Sequence, residues 1–191
     1  VPHDIDGLVT LMGGQEQFID RLDSLFLADS KLEGDLVSSD ISGLIGQYAH
    51  GNEPSHHIAH LYNYVNQSWK TQQLIDTILY NQYFDDPNGL SGNEDCGQMS
   101  AWYVLNAMGF YQVCPGSPIY SVGRPIFDKV TINLSNGKKF EIVANNNSRT
   151  NKYIQSIRLD NILLESPFFM HSDIMKGGRI VVDMGNTPVK Q

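Results

Sequence analysis

The stretch GLSGNEDCGQMSAWYVLNAMGFYQVCPGSP, residues 89–118, contains the change of periodicity that decides the fold. Apolar residues at positions 101, 104, 105 and 108 recur with the spacing of one helix face, and Gly109 ends the run. The Cys-Pro-Gly-Ser-Pro segment 114–118 then interrupts regular structure. Because helical spacing dominates before this segment and strand alternation after it, we predict a mainly α chain with a β-rich C-terminal part. The predicted boundary separates residues 1–114 from residues 115–191.

Four apolar stripes upstream of this stretch also have helical spacing. They are Ile5 to Met12, Phe18 to Phe26, Ile58 to Val65 and Leu74 to Leu79. Asp4 stands where the first of these helices needs an N-cap, and Pro54 suits the first turn of the third. The polar residues 29–40 predict a loop. Residues 41–49 form a short segment that Gly43 and Gly46 weaken as a helix.

Downstream of the boundary, apolar and polar residues alternate as in half-buried strands. Residues 130–134 and 140–144 alternate on either side of Asn136-Gly137, a dipeptide that favours a tight hairpin turn. Further strands are predicted at Tyr153–Leu159 and Arg179–Met184.

Helices joined by short connections alternate in direction, which bears on where their first residues lie. Counting the main helices, those that start near Asp4, Pro54 and Asp95 run the same way. We therefore expect the segments Pro2-His3-Asp4, Gly51-Asn52-Glu53 and Asn93-Glu94-Asp95 to converge on one surface. Acidic residues often only cap helices: Asp4 suits a cap, and Ser91-x-x-Glu94 suits a capping box.

Two metal hypotheses follow from these residues. An Asn amide with Glu and Asp carboxylates offers hard oxygen ligands, so Asn52, Glu53 and Asp95 would suit Ca²⁺. Alternatively, His56 and His60 at i and i+4 could share a Zn²⁺ ion. No third zinc ligand is evident, so we favour the interpretation that one imidazole of this group, which includes His57, packs in the core while the others bond locally or face solvent.

Composition limits the classes of function. The chain has 191 residues and a net charge of −8, which disfavours binding to nucleic acid or to an anionic membrane. No apolar run approaches the roughly 20 residues that span a bilayer. The chain starts without Met or a leader, so we expect a processed or truncated piece. Cys96 and Cys114 are either two thiols or one disulfide.

Four segments resemble the C-terminal part of the glycoside hydrolase family 92 α-mannosidases. They are VPHDIDGLVTLMGG at 1–14, ISGLIGQYAHGNEPSHHIAHLYNY at 41–64, the stretch 89–118 quoted above, and DIMKGG at 173–178. The resemblance implies an exo-acting, calcium-dependent enzyme that removes mannose from α-mannosides, with α-1,2 linkages expected, and inverts the anomeric centre. It also implies a fragment of an (α/α)6 barrel followed by a small β-sandwich-like segment, in a secreted or periplasmic bacterial protein.

The resemblance further implies roles for individual residues. Asp95 matches the catalytic base, which the adjacent helix N-terminus would keep ionised. Asn52, Glu53 and Asp95 match the calcium-binding region. His50, His3 and Asp4 are expected to contact the sugar.

Two departures from the family pattern limit this assignment. Asn93 stands where many relatives have an aspartate. The family's general acid is a glutamate that precedes the Pro-His-Asp motif, and we expect it to lie outside these residues. The expected partners are an α-mannoside glycan and the N-terminal part of the same protein. We therefore expect the isolated fragment to be inactive and to expose apolar helix faces. The alternative is a non-catalytic carbohydrate-binding or scaffold module.

Overall fold

The computed structural model describes residues 2–32 and 41–190, in which most of the helices precede most of the strands. The α-helices are α1 (Ile5–Leu11), α2 (Gln15–Leu27), α3 (Ser68–Asn81), α4 (Gln98–Met108) and α5 (His171–Lys176). Two 3₁₀ helices, Glu53–Ser55 and Ile58–Val65, lie between α2 and α3. The predicted loop 29–40 is irregular at 29–32, and residues 33–40 lie outside the described part of the chain. No helix in the described ranges is long and apolar enough to cross a membrane.

The beginning of α1 confirms the predicted cap, because the Asp4 Oδ1 atom accepts a hydrogen bond from the Gly7 amide at 2.8 Å. The segment 41–49 differs from the prediction. It forms a hairpin of two short strands, β1 (Leu44–Ile45) and β2 (Tyr48–Ala49), rather than a weak helix. Gly46 turns the chain there with φ of +60°, a conformation that glycine adopts at little cost.

The segment predicted as a helix at 58–65 is a 3₁₀ helix. Most of its side chains are buried, including polar ones such as His60 and Asn63. Tertiary contacts therefore surround this segment on nearly all sides, and helical periodicity alone does not determine its winding. Asn66 ends it in the left-handed conformation, with φ of +55°.

The remaining strands form two sheets. In chain order they are β3 (Phe110–Tyr111), β4 (Ile119–Val122), β5 (Lys129–Asn133), β6 (Lys139–Asn145), β7 (Tyr153–Leu159), β8 (Ile162–Leu163), β9 (Phe168–Met170) and β10 (Gly178–Gly185). The larger sheet has the order β5-β6-β10-β7-β8, with only the β6–β10 pair parallel. The smaller sheet has the order β3-β4-β9. The predicted hairpin is confirmed, with Val130 opposite Ile142.

Helix α4 contacts both apolar cores. Trp102 and Ala107 are buried in the core of the helical region, whereas Leu105 and Met108 pack against the core between the two sheets. The division near residue 114 therefore falls just after an element that belongs to both parts. This boundary stays a prediction. The (α/α)6 barrel also stays a prediction, because the α-helices of the described residues do not form a complete barrel by themselves. Leu11 and Leu27 are 87% and 82% exposed, so both α1 and α2 present apolar surface to solvent.

A buried histidine joins the helical region to the smaller sheet. His60 Nδ1 lies 3.0 Å from Ser121 Oγ, and its Nε2 lies 2.8 Å from Asn106 Oδ1. Asn63 donates to Ser121 Oγ at 2.7 Å and to the Val122 carbonyl at 2.8 Å. Burial lowers the pKa of His60 to about 4, so the neutral imidazole is the stable form near neutral pH.

A buried ion pair makes the second connection. Arg124 Nε lies 3.0 Å from Asp76 Oδ1, and both side chains are almost fully buried. Two further cations, Arg149 and Lys152, approach the same carboxylate at 3.6 and 3.5 Å. Removing one member of such a pair would leave a buried charge without compensation, so this contact fixes α3 against the loops of the β-rich part.

We expect the stability of the chain to decline as the pH falls from 6.5 towards 4. In this window the unfolded chain binds a proton at His60 and the folded chain does not, because the ordinary pKa of 6.5 is lowered to about 4. His60→Gln should reduce the pH slope of the unfolding free energy by up to one proton, whatever it costs in absolute stability. Urea unfolding at a series of pH values measures this slope. Thr10→Ser, an exposed substitution without a titratable group, is the control and should leave the slope in place. An unchanged slope in His60→Gln would contradict the assignment.

Candidate active site

The loops that carry the two Gly-Asn-Glu motifs pack against each other through their glycines. A Cβ atom on Gly51 would lie 2.5 Å from the Ser91 carbonyl oxygen, and one on Gly92 would lie 3.4 Å from the Gly51 carbonyl oxygen. The first distance is shorter than real Cβ contacts allow. Gly92 also has φ of +92°. Glycine therefore precedes both Asn-Glu pairs because the two backbones approach closely here.

The β1–β2 hairpin holds the first of these loops. The Gly51 amide donates to the Ser42 carbonyl at 3.1 Å, and the His50 amide donates to the Gly43 carbonyl at 3.2 Å. These bonds extend the short ladder beyond its strands and fix the direction in which residues 51–53 leave it. Residues 41–49, which the sequence predicted as a weak helix, thus support the loop that carries Asn52 and Glu53 on one side of the site.

The side chains of Glu53 and Asp95 meet where the two loops converge. A hydrogen bond to the half-buried Glu53 is the main reason that the pKa of the exposed Asp95 is raised, with smaller contributions from desolvation and from the charge of Glu53. The expected convergence of these two motifs is thus present in the structure. The helix N-terminus was expected to keep Asp95 ionised, and this expectation is corrected. Helix α4 begins only at Gln98, and the contact with Glu53 raises the pKa of Asp95.

The backbone at Asp95 has an unusual conformation. Asp95 and Cys96 have φ of +49° and +57°, and Gly97 follows with φ of +90°. Left-handed geometry at residues other than glycine costs about 1 kcal/mol or more each, and such residues cluster at functional sites. The three residues turn the chain into α4 while leaving the Asp95 side chain exposed beside Glu53.

Glu94 caps α4, as the sequence suggests, but with a different partner. Its carboxylate accepts hydrogen bonds from the Ser100 amide at 3.1 Å and the Ser100 hydroxyl at 2.9 Å. The predicted capping box with Ser91 is wrong, because the Ser91 hydroxyl donates to Gln82 Oε1 at 2.7 Å. Glu94 is therefore occupied in stabilising the helix, which leaves Asp95 as the free acid of this loop.

A cleft of about 730 Å³ opens beside the carboxyl pair. Its lining includes Pro2, Glu53, His57, Gln98, Trp102 and Tyr111. Pro2 brings the third predicted motif to the edge of this cleft. His3 and Asp4 follow at the exposed surface, with Asp4 engaged as the cap of α1.

His50 does not reach this cleft, which corrects its expected sugar contact. Its side chain is fully buried, and its two ring nitrogens lie 2.9 Å from the Tyr48 hydroxyl and 2.7 Å from the Tyr83 hydroxyl. Burial, together with the nearby His56, lowers its pKa to about 3. His50 thus supports the wall from behind and has no free nitrogen for a ligand.

The zinc hypothesis fails for the same reason. His56 Nε2 lies 3.0 Å from the His50 carbonyl oxygen and its Nδ1 lies 3.1 Å from Gln98 Nε2. Both nitrogens of His60 are also engaged, as described above. In residues 2–32 and 41–190, no group of three or more His, Cys, Asp and Glu side chains could hold a metal ion. His56 and His60 are both buried and His57 is half-buried, so two imidazoles lie in the core where one was expected. Cys96 and Cys114 are free thiols.

The residues expected to bind calcium fit the ion in chemical kind. Glu53 and Asp95 bring carboxylate oxygens together at an accessible edge, and the neighbouring Asn52 is exposed. Ca²⁺ takes about 6–8 oxygen ligands, more than these three side chains supply. Further oxygens would have to come from water, from sugar hydroxyls or from other parts of the protein.

Gln98 is a cleft residue that was not among the site residues predicted from the sequence. Gln98 is the first residue of α4, bonds to His56 and lines the cleft. Its position directly after the polar loop 92–97 is the signal that could have identified it.

Comparison with known proteins assigns the chain to a family. Residues 1–186 match the glycosyl hydrolase family 92 catalytic domain, and the chain belongs to this family. The family GH92 α-mannosidase BT3965 from Bacteroides thetaiotaomicron, solved in complex with mannoimidazole, is 42% identical with a TM-score of 0.91. The family GH92 inverting mannosidase BT2199 from the same organism is 39% identical with a TM-score of 0.84. An uncharacterized secreted glycosidase of Arthroderma benhamiae is 29% identical over 188 residues.

The match covers nearly all of this chain but a small part of its relatives. The chain is covered to 98% by BT3965 and by BT2199, yet spans 24% and 26% of those chains. It is covered to 97% by the fungal glycosidase and spans 22% of it. The described fold is therefore a portion of a larger architecture in these relatives.

The Glu53–Asp95 contact predicts the effect of a substitution. Glu53→Ala should lower the pKa of Asp95 towards its ordinary value, because the hydrogen bond and the adjacent charge that raise it are removed. The pH titration of the Asp95 carboxyl carbon by NMR measures this shift. Glu94→Gln is the matched control in the same loop and should leave the titration of Asp95 unchanged. A pKa of Asp95 that stays raised in Glu53→Ala would show that the two side chains do not meet.

Proposed function

We propose that the parent protein is an exo-acting α-mannosidase that releases mannose with inversion, and that this chain contributes part of its active site. The contact of Asp95 with Glu53, which lines a large cleft, is the observation that carries the proposal. Two α-mannosidases at 42% and 39% identity support the substrate class. The activity belongs to the whole protein, of which we expect this chain alone to perform little.

In this proposal Asp95 is the general base that takes a proton from the attacking water. A base must be ionised and within reach of the water that it activates, and the Asp95 carboxyl is exposed to solvent. The left-handed turn at Asp95 and Cys96 holds the carboxylate out from the helix, where water has access.

Glu53 is unsuited to be the general acid of the same reaction. Inverting glycosidases separate their two carboxyl groups by about 6.5–9.5 Å, so that a water molecule fits between them. Glu53 is close enough to Asp95 to share a hydrogen bond, which leaves no such gap. We therefore assign the acid to another part of the parent protein, in keeping with the family resemblance.

We assign Asn52, Glu53 and Asp95 to a calcium site on the basis of their hard oxygen ligands. When bound, Ca²⁺ would supply positive charge that holds neighbouring sugar hydroxyls and favours a flattened ring. Glu53 and Asp95 would be ionised in that state, and the hydrogen bond between them would give way to ion binding. His3 and Asp4 are proposed sugar contacts at the neighbouring edge.

We propose α-1,2-linked mannose as the preferred substrate and the remaining N-terminal part of the protein as the partner of this chain. A secreted or periplasmic bacterial location is proposed with them. The glycosidase of Arthroderma benhamiae, which is described as secreted, supports export. A non-catalytic sugar-binding module is the alternative function, since the same oxygens could bind a sugar without turnover.

Replacing Asp95 should separate the two functions. In the full-length parent protein, Asp95→Asn should lower kcat for an α-mannoside by about 100- to 10,000-fold, because a positioned base contributes that much. Binding of mannose, measured by calorimetry at a saturating Ca²⁺ concentration, should persist. Glu94→Gln is the control, since its amide oxygen still accepts from Ser100, and it should retain turnover. Mannose binding without turnover by the wild type would favour the binding module, and equal turnover by wild type and Asp95→Asn would remove Asp95 as the base.

Removal of calcium tests the metal assignment independently. Treatment of the full-length protein with a chelator should abolish turnover of α-1,2-linked mannobiose, and added Ca²⁺ should restore it. Glu53→Gln should raise the Ca²⁺ concentration needed for half-maximal activity, because one charged ligand is lost. Glu94→Gln should not. Activity that is unaffected by the chelator would remove the calcium role from the proposal.

A further inference from the structure

A short series of hydrogen bonds runs from a backbone carbonyl to the cleft. It begins at the His50 carbonyl oxygen, which can only accept, and which lies 3.0 Å from His56 Nε2. The His56 proton must therefore be on Nε2. The side chain of His56 is 1% exposed, and its ring nitrogens face a carbonyl and an amide rather than a carboxylate, so a charged ring would be buried without a partner and the neutral form is favoured. Its Nδ1 atom is consequently a hydrogen-bond acceptor.

The protonation of His56 determines the orientation of the Gln98 amide. Only the nitrogen end of that amide can donate to Nδ1, and Gln98 Nε2 lies 3.1 Å away. Its second hydrogen points to the Tyr111 hydroxyl oxygen at 3.3 Å. Both amide hydrogens are thus used within the protein. In the described part of the chain, the Gln98 Oε1 atom receives no hydrogen bond.

Gln98 is well fixed for a surface side chain. It occupies the first position of α4, after the left-handed turn at residues 95–97, and it lines the cleft together with Glu53. Tyr111 is itself held by stacking of its ring on His60, with the centroids 5.6 Å apart. A polar group that is held in this way offers an acceptor of defined direction, which favours specific binding.

We propose that Gln98 is a specificity residue, whose Oε1 atom accepts a hydrogen bond from a sugar hydroxyl in the cleft. His56 is the positioning residue, because it determines which end of the amide faces the sugar. The inference rests on the proposed glycosidase function and adds a determinant of which sugar is accepted. A site built to pair with a hydroxyl discriminates against a sugar that lacks it, since the acceptor then loses its partner.

The test uses the full-length parent enzyme and 4-nitrophenyl α-mannoside with its monodeoxy derivatives. In the wild type, one derivative should lose about 3- to 10-fold in kcat/KM beyond the others because of the missing bond to Gln98. Gln98→Met should lower kcat/KM for the intact mannoside by a similar factor. It should leave kcat/KM for that one derivative nearly unchanged.

Gln98→Glu keeps an oxygen acceptor towards the cleft, with a proton held between its second oxygen and His56 Nδ1 in place of the amide hydrogen. It should retain or increase the discrimination against the same derivative, because a charged acceptor bonds more strongly. If Gln98→Met does not fold, as judged by thermal unfolding, this variant carries the test. A uniform loss of kcat/KM over all derivatives, in whichever variant folds, would reduce Gln98 to a support of His56 and overturn the inference.

The outcome also separates this inference from the proposed function. A folded wild-type parent that hydrolyses no α-mannoside would remove the proposed function and the inference together. Hydrolysis without any effect of Gln98 on the discrimination between hydroxyls would remove the inference alone.

Discussion

The close approach of two glycine-led loops is the constraint on which the candidate site depends. The Gly51 backbone lies against the Ser91 carbonyl so tightly that a single Cβ atom would have to displace it. This contact sets the separation of the Asn52-Glu53 and Glu94-Asp95 segments. The meeting of Glu53 and Asp95, and the raised pKa of Asp95, are consequences of backbone packing and not of attraction between two acids. Two carboxyl groups would otherwise separate in water, because their charges repel.

Behind this contact, buried polar groups keep the wall in place. His50, His56 and His60 have their ring nitrogens satisfied, and burial lowers the pKa of each. A buried neutral imidazole donates from one ring nitrogen and accepts at the other. These histidines therefore determine which atom of each neighbouring group faces them. The direction of the Gln98 amide is one result. The histidines that suggested a metal from sequence spacing thus act as parts of a hydrogen-bonded scaffold.

Much of the fold could be predicted from local patterns. The Asp4 cap, the α4 stripe and the hairpin at Asn136-Gly137 depend on neighbouring residues, and the structure confirms them. The errors arose where distant residues decide. Residues 44–49 pair as a hairpin next to the close contact between Gly51 and Ser91. Residues 58–65 form a 3₁₀ helix whose side chains are mostly buried. The convergence of Glu53 and Asp95 could be predicted from the alternating directions of successive helices. The burial of His50 was not, because only tertiary contacts with Tyr48 and Tyr83 reveal it.

The order of strands in the larger sheet affects how the protein is made. Strand β10 lies between β6 and β7, although both precede it in the chain. During synthesis on the ribosome, β6 and β7 are therefore made before the strand that pairs with both of them, which consists of residues 178–185. Helix α4 packs against the core that this strand completes. The first residue of α4 lines the cleft, so the cleft reaches its final form only after β10 has been translated and has paired.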